Sequence, residues 1–511
     1  MTDLAGGLTL AAPRCTKTCR REAAACKQTQ CTGLAGEQRR ACVKTCDERG
    51  GCPPGGPAIR TLAYVVHECR TDAQGLTTGD VTLRVRHGDC DPVTVYELGP
   101  SGASPDPAGL CRLYGENRWG DAGVLAGGIE RVGVRPDGSA VVFEVTDETA
   151  VYHLRPPLPP DQEGIYVVGA DGSGPRRLGP ASRRPALNVS SSSYIDPDLF
   201  FSFSPDGRTI VFTDLGPDAA GKDTVQVVTL DVTTGRRTPL TRLPAGAITN
   251  PPDIFPTCCA RFLNAETIAF NSFTNPSGTN PRGYFLAFTI NRDGTGLRAV
   301  PAPIAAPGGT VVPVFGIAGP GPHSDVLSLP MPYPSTNAPS VPAHEVFLRE
   351  GRNLTQLTQF GQAETIGLFP TVNRRRVIFL ASADPLGNNS KKNCQLFSVD
   401  TAGAHFRQLT HFDQGEPAPF GHCGAGPPPG CSIPSAVRDR DTGTIVFESS
   451  CDPFGTNPYG DQLFAMRPDG AGLRVLTDMR GFAVEADGSV GAELVGPFDY
   501  APRGPTPQFR F

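Results

Sequence analysis

Cysteine is the residue type with the most chemical potential in this chain. There are sixteen, and seven fall within residues 15–52. Cys15, Cys19 and Cys26 recur at steps that share one face of a helix, and Cys42 and Cys46 do the same on a second segment. The surrounding Ala, Lys, Arg, Gln and Glu are good helix formers. An antiparallel helical hairpin would set Cys15 against Cys46 and Cys19 against Cys42 in one register, with Cys26 and Cys31 closing its top. Four sulfurs on two helices could instead hold zinc, but close CxxC knuckles are absent, so disulfides are the expectation. Further on, Cys69 and Cys90 could bridge a hairpin, Cys394 and Cys451 two adjacent repeats, and Cys423 and Cys431 a proline-rich loop. The adjacent pair Cys258 and Cys259 can bond to each other or pair elsewhere; the second is preferred. Such a count fits an oxidising compartment.

Other chemistry is sparse. The eight histidines are scattered without helical ligand spacing. Asp439 and Asp441 in DRDTG echo the start of a calcium loop but lack its Gly-then-Glu ending. Calcium is thus a weak expectation, set against a turn aspartate that bonds backbone amides, and no other metal or cofactor is expected. No nucleophile elbow, P-loop, HExxH or dinucleotide fingerprint occurs. Catalytic residues are therefore not assigned.

Composition narrows the class. The formal charge of -5 offers no general basic surface for nucleic acid. No apolar run is long enough for a transmembrane helix. The opening MTDLAGGLTLAAPRC has an apolar patch but no basic leader, so residues 1–14 read as disordered or as a targeting remnant. Glycine and proline number 60 and 52, and they punctuate short apolar runs as in an all-β chain with many turns.

The elements that must position any site come from repetition. RVGVRPDGSAVVFEV (131–145) and FSFSPDGRTIVFTD (201–214) each read as strand, tight turn, strand. VQVVTLDVTTGRRTPLT (225–241), QLFSVDTAGAHFRQLT (395–410) and QLFAMRPDGAGLRVLT (462–477) form a second half that ends in Leu-Thr. Four short strands cannot bury both faces alone, and stacking in a ring solves this. The expected fold is an all-β propeller over 60–500, with seven blades favoured and six possible. A Pro/Gly linker (53–59) would precede it and a tail (501–511) follow it. Residues 481–497 read as a first half without a second, and 60–99 lack a first half. Joining them would close the ring in a blade shared by both chain ends.

These repeats resemble the TolB-like, WD40-like bacterial propeller repeat. The resemblance covers roughly residues 130–480 and lacks the Trp-Asp signature of eukaryotic WD40 proteins. It implies an exported protein, periplasmic or extracellular, whose propeller binds a protein partner. TolB-type proteins carry an α/β domain where this chain has the cysteine hairpin, so a role in the Tol envelope system does not carry over. The leading expectation is a non-catalytic binding scaffold. A propeller hydrolase or lyase with its site at the central channel is the alternative, and a structural surface protein is a third.

Overall fold

The computed structural model of the chain describes most of residues 59–501. Outside the description lie 1–58 apart from Gln38, 502–511, and parts of the longer connections, among them 112–127, 184–200, 245–256, 300–315 and 414–432. The expected helical hairpin and the leader before it fall outside it, as do nearly all of the linker and tail.

The described chain is a β-propeller. Its first strands are β1 (Thr61–Thr71), β2 (Leu76–His87), β3 (Val93–Glu97) and β4 (Ser104–Pro105). Six four-stranded antiparallel blades follow. The first holds β5–β8 (Gly128–Val134, Ala140–Thr146, Gly164–Gly169, Arg176–Gly179). The second holds β9–β12 (Ser202–Phe203, Thr209–Pro217, Asp223–Asp231, Arg237–Pro239), the third β13–β16 (Thr257–Phe262, Thr267–Ser272, Leu286–Asn291, Arg298–Ala299). The fourth holds β17–β20 (Gly316–Ala318, Ser324–Pro334, Pro342–Glu350, Asn353–Gln356), the fifth β21–β24 (Thr365–Val372, Arg376–Ala381, Gln395–Asp400, Arg407–Gln408). The sixth holds β25–β28 (Ser435–Arg438, Ile445–Ser449, Gln462–Met466, Arg474–Val475). Finally β29 (Gly481–Val484) and β30 (Val490–Ala501) join β1, β2 and β3 in one sheet of order β29-β30-β1-β2-β3, with β4 on β2.

Period-two alternation explains why the blades stack. Neighbouring residues of a strand point to opposite faces, and here both faces are apolar. Val141 and Phe143 enter the core shared with the closing sheet, whereas Val142 enters the core shared with the second blade. Ile378 and Leu380 face the sixth blade, while Val377 and Phe379 face the fourth. The described cores between neighbouring blades are layers rich in Val, Ile, Leu and Phe, so a blade depends on its neighbours to bury its faces.

Antiparallel order sorts the connections onto two faces. The turns from first to second and from third to fourth strand are short and lie together. They are built on an aspartate that accepts amides two residues on, as Asp137 does from Ser139 and Asp231 from Thr233. Gly138 has φ +75°, and a Cβ there would strike Thr61 Oγ1. The opposite ends of these strands define the other face, hereafter the loop face.

The closing sheet differs from the expected arrangement. Val134 N donates to Asp499 Oδ2 (2.8 Å), His87 Nε2 meets the Ala170 carbonyl (3.3 Å), and Arg60 reaches Asp439. Those contacts put Thr61, His87 and Asp499 on the short-turn face. β30 therefore runs in the direction of the innermost strands, and β1, β2 and β3 lie outside it. β29 is an extra strand on the channel side, paired only along Val490–Glu493, with its turn on the loop face. Residues 481–496 are thus not a first half. Their turn has the same chemistry, Asp487 accepting from Ser489 N, and nothing in that chemistry specifies which face it occupies.

A buried clasp repeats at the end of four blades. Gln395 Oε1 accepts from Thr410 Oγ1 (2.7 Å) and Phe412 N (3.2 Å), and Thr410 Oγ1 accepts from Leu396 N. Gln226 with Thr241, Gln462 with Thr477 and Glu345 with Thr358 do the same. The threonine of the Leu-Thr signature is this clasp. It satisfies amides that would otherwise be buried without partners.

Candidate functional site: the channel mouth on the loop face

The innermost strands line the channel, and among the described residues three of them, β5, β13 and β21, are irregular toward their loop-face ends; β21 skips between Ile366 and Leu368. In β5 the pairing with β6 skips between Ile129 and Arg131, leaving Glu130 as the extra residue. In β13 it skips from Cys258 to Arg261, so that Cys259 and Ala260 stand opposite the single residue Phe270. A bulge bends its strand and re-aims side chains, and bulges gather at strand ends beside functional sites.

The first bulge leads into a charged network between the first and second blades. Arg131 is 1 % exposed and Glu144 fully buried. Arg131 Nη1 lies 3.5 Å from Glu144 Oε2 and donates to Ser182 Oγ (3.1 Å) and to the Thr213 carbonyl (3.3 Å). Ser182 gives both its amide and its hydroxyl to Glu144 Oε1. The next residue, Arg183, donates its amide to Asp214 Oδ1 (2.7 Å), and Arg237 pairs with Asp214 Oδ2 (2.7 Å). Burial pushes the Asp214 carboxyl upward, and the Arg237 guanidinium only partly offsets this. The first blade has Gly164 and Gly179 where four other blades carry the clasp pair, and this network stands in its place. It fixes the root of the connection that continues into 184–200.

The second bulge is held by a disulfide between adjacent residues. Cys258 and Cys259 are bonded to each other, which corrects the expectation that each pairs elsewhere. Cys259 has φ +64°. A left-handed conformation costs an ordinary residue roughly 1–2 kcal/mol. The carbonyl of Cys259 accepts from Arg261 Nη1 (3.4 Å), and Phe273 packs on the sulfurs in a small cluster apart from the blade cores.

Other cysteines are placed as follows. Cys69 is bonded to Cys111, not to Cys90. The hairpin register sets Cys69 opposite Gly79, whereas Cys90 lies beyond His87, whose partner is Thr61 at the far end of the strand. Cys90, Cys394 and Cys451 are disulfide-bonded, and the last two are buried in the core between the fifth and sixth blades. Cys15, Cys19, Cys26, Cys31, Cys42, Cys46, Cys423 and Cys431 lie outside the described residues.

Asp439 and Asp441 do not open onto the channel mouth. They sit in a short turn, where Asp439 Oδ1 accepts from the amides of Asp441 and Thr442. Arg60 Nη1 lies 3.2 Å from Asp441 Oδ2 and Arg60 Nε 3.7 Å from Asp439 Oδ2, so a side-chain cation already stands against both carboxylates. Among the described residues no three His, Cys, Asp or Glu side chains are grouped to hold a metal. Of the histidines, His405 pairs with Asp400 (2.7 Å) and His344 meets Ser328 Oγ (3.2 Å). Sequence reasoning missed the Arg131–Glu144–Ser182 network altogether. Its only trace is negative, the missing Leu-Thr of the first blade.

The fold and its inter-blade cores define a β-propeller. No family model matches the chain, and no curated protein does. Among solved structures it is similar to the β-propeller domain of the Trilobed protease from Pyrococcus furiosus, with a TM-score of 0.41 and 10% identity over 70% of this chain and 87% of that one. It is similar to Pyrococcus horikoshii acylaminoacyl peptidase, TM-score 0.43 and 10% identity, over 84% of this chain but 53% of that one. The chain thus spans about half that peptidase's length. Oligogalacturonate lyase in complex with manganese gives a TM-score of 0.40 and 12% identity over 81% of this chain and 97% of that one. Sequence alone pointed to a non-catalytic scaffold and not to an enzyme. The propellers matched are those of peptidases and of a lyase, in contrast to that expectation. Among the described residues no helix is long and apolar enough to cross a membrane.

Proposed function

We propose that the chain is a propeller enzyme, a hydrolase or lyase, whose site is the loop-face mouth of the central channel. One observation carries this reading: register skips near the loop-face ends of two innermost strands set apart Glu130, which is 2 % exposed, and the stretch that leads to Arg261. A carboxylate and a guanidinium on different blades leave no local sequence motif. Together they supply a proton-transfer group and an anchor for a carboxylate or a developing oxyanion. The TolB-like repeat sequence and the disulfides Cys69–Cys111 and Cys258–Cys259 support an exported protein in an oxidising compartment.

The test is turnover by the full chain of a peptide amide panel and of oligomeric uronates, followed by product mass. Glu130→Gln and Arg261→Ala should each lower kcat by about 100-fold with the thermal transition retained. Turnover that survives both substitutions unchanged would place the chemistry elsewhere, and no turnover on either substrate class would remove the proposal.

A further inference from the structure

We propose that Cys258–Cys259 is a thiol–disulfide exchange site at the channel mouth, with a soluble dithiol as its co-substrate, and that its redox state sets the backbone that carries Arg261. The inference is independent of whether the chain is an enzyme.

Three observations support it. The bond joins neighbours one residue apart, so it closes no chain loop and constrains almost nothing in the unfolded chain. What it does constrain is local, a non-glycine residue at φ +64° inside a bulge. The bulge is bounded by regular pairs, Thr257 with Ser272 on one side and Phe262 with Ile268 on the other. Phe262 N is further tied to Ser202 Oγ of the second blade (3.1 Å). A relaxation of Cys259 to the extended region is therefore confined to 258–261, and Arg261, which bonds the Cys259 carbonyl, moves with it. All four bridge cysteines are buried, with Cys259 at 8% and Cys258 at 3%, against 4% for Cys69 and 0% for Cys111, so Cys259 is the sulfur nearest to solvent.

The exchange balances as follows. A thiolate of the dithiol attacks one sulfur of the pair, the S–S bond breaks, and the departing cysteine thiolate takes a proton. The second thiol of the reagent attacks the mixed disulfide, releases the other cysteine, and leaves as a cyclic disulfide. Two electrons and two protons pass to the protein, and an oxidised dithiol reverses the step.

The experiment titrates the folded full chain with dithiothreitol, alkylates the thiols and maps them by mass spectrometry, with amide exchange measured in parallel. Cys258 and Cys259 should open at a reagent concentration about tenfold below that for Cys69–Cys111. Exchange at Ala260 and Arg261 should then quicken by about tenfold while the blade strands stay protected. The two bridges opening together on global unfolding would overturn the proposal, as would opening without any change at Ala260 and Arg261. A pair of variants provides a second reading. Cys258→Ser with Cys259→Gly keeps the left-handed backbone at no cost and should exchange like the oxidised protein. Cys258→Ser with Cys259→Ser should exchange like the reduced one. Equal exchange in the two variants would also sink the switch.

Discussion

Two disulfides in this propeller have the same chemistry and opposite physical roles. Cys69–Cys111 spans 42 residues and ties the connection that follows β4 to the closing sheet. In the chain-entropy account, closing a loop of that length stabilises the fold by about 4 kcal/mol. Cys258–Cys259 spans a single peptide bond and closes nothing. The first bond acts on the unfolded chain and ties the connection at Cys111 to β1. The second acts on one residue's backbone and shapes the mouth of the channel. The length of chain that each pair constrains separates the two roles.

The largest test of this difference removes both bonds in turn. Cys69→Ser with Cys111→Ser should lower the unfolding free energy by about 4 kcal/mol. Cys258→Ser with Cys259→Ser should leave it within about 1 kcal/mol, because relief of the left-handed backbone offsets lost packing. Denaturant titrations of the two double variants decide it, and equal losses would abolish the distinction. The clasp provides a non-covalent comparison of intermediate size. Thr410→Val leaves Gln395 and the Leu396 amide short of a buried partner and should cost about 2 kcal/mol, read as a shifted midpoint with an unchanged slope.

The smallest effect lies in the short turns. Burial raises the Asp206 carboxyl, but hydrogen bonds from Ser204 and the Arg208 amide, together with Arg292, outweigh it and hold the pKa at about 2. With the folded value depressed, the stabilisation is complete above the unfolded value of roughly 4 and is lost as pH falls toward 2. The group is largely exposed, so screening keeps the contribution below about 1 kcal/mol. Asp206→Asn should flatten the acid limb of a thermal-melt series by a degree or two at most, with no change near neutrality.

Much of the fold was legible because it is local and repeated. The turn aspartates bond amides two residues away, and the alternation of Val141, Val142 and Phe143 declares a strand buried on both faces. The Leu-Thr signature was visible, and the structure supplies the reason for its threonine. The Cys69–Cys90 expectation failed because it counted residues along the chain, whereas register sets Cys69 opposite Gly79 and carries Cys90 to the other end of the hairpin. The mouth was barely legible. Glu130 and Arg261 sit at bulges in two different blades, and Arg131, which faces Glu144 within its own hairpin, reaches the second blade only through the Thr213 carbonyl.

The sequence by itself determined the repeat unit, its turns and the need for a ring, since strands apolar on both faces have no other way to leave water. Tertiary structure alone decided which face the turn at the join occupies and what stands at the channel mouth. The turn in residues 485–489 has the same aspartate chemistry as the turns at Asp137 and Asp231, and its face was fixed only when Asp499 met the Val134 amide and Arg60 met Asp439. Local hydrogen bonding specifies the shape of a hairpin, but its direction in the assembly comes from contacts between residues hundreds of positions apart.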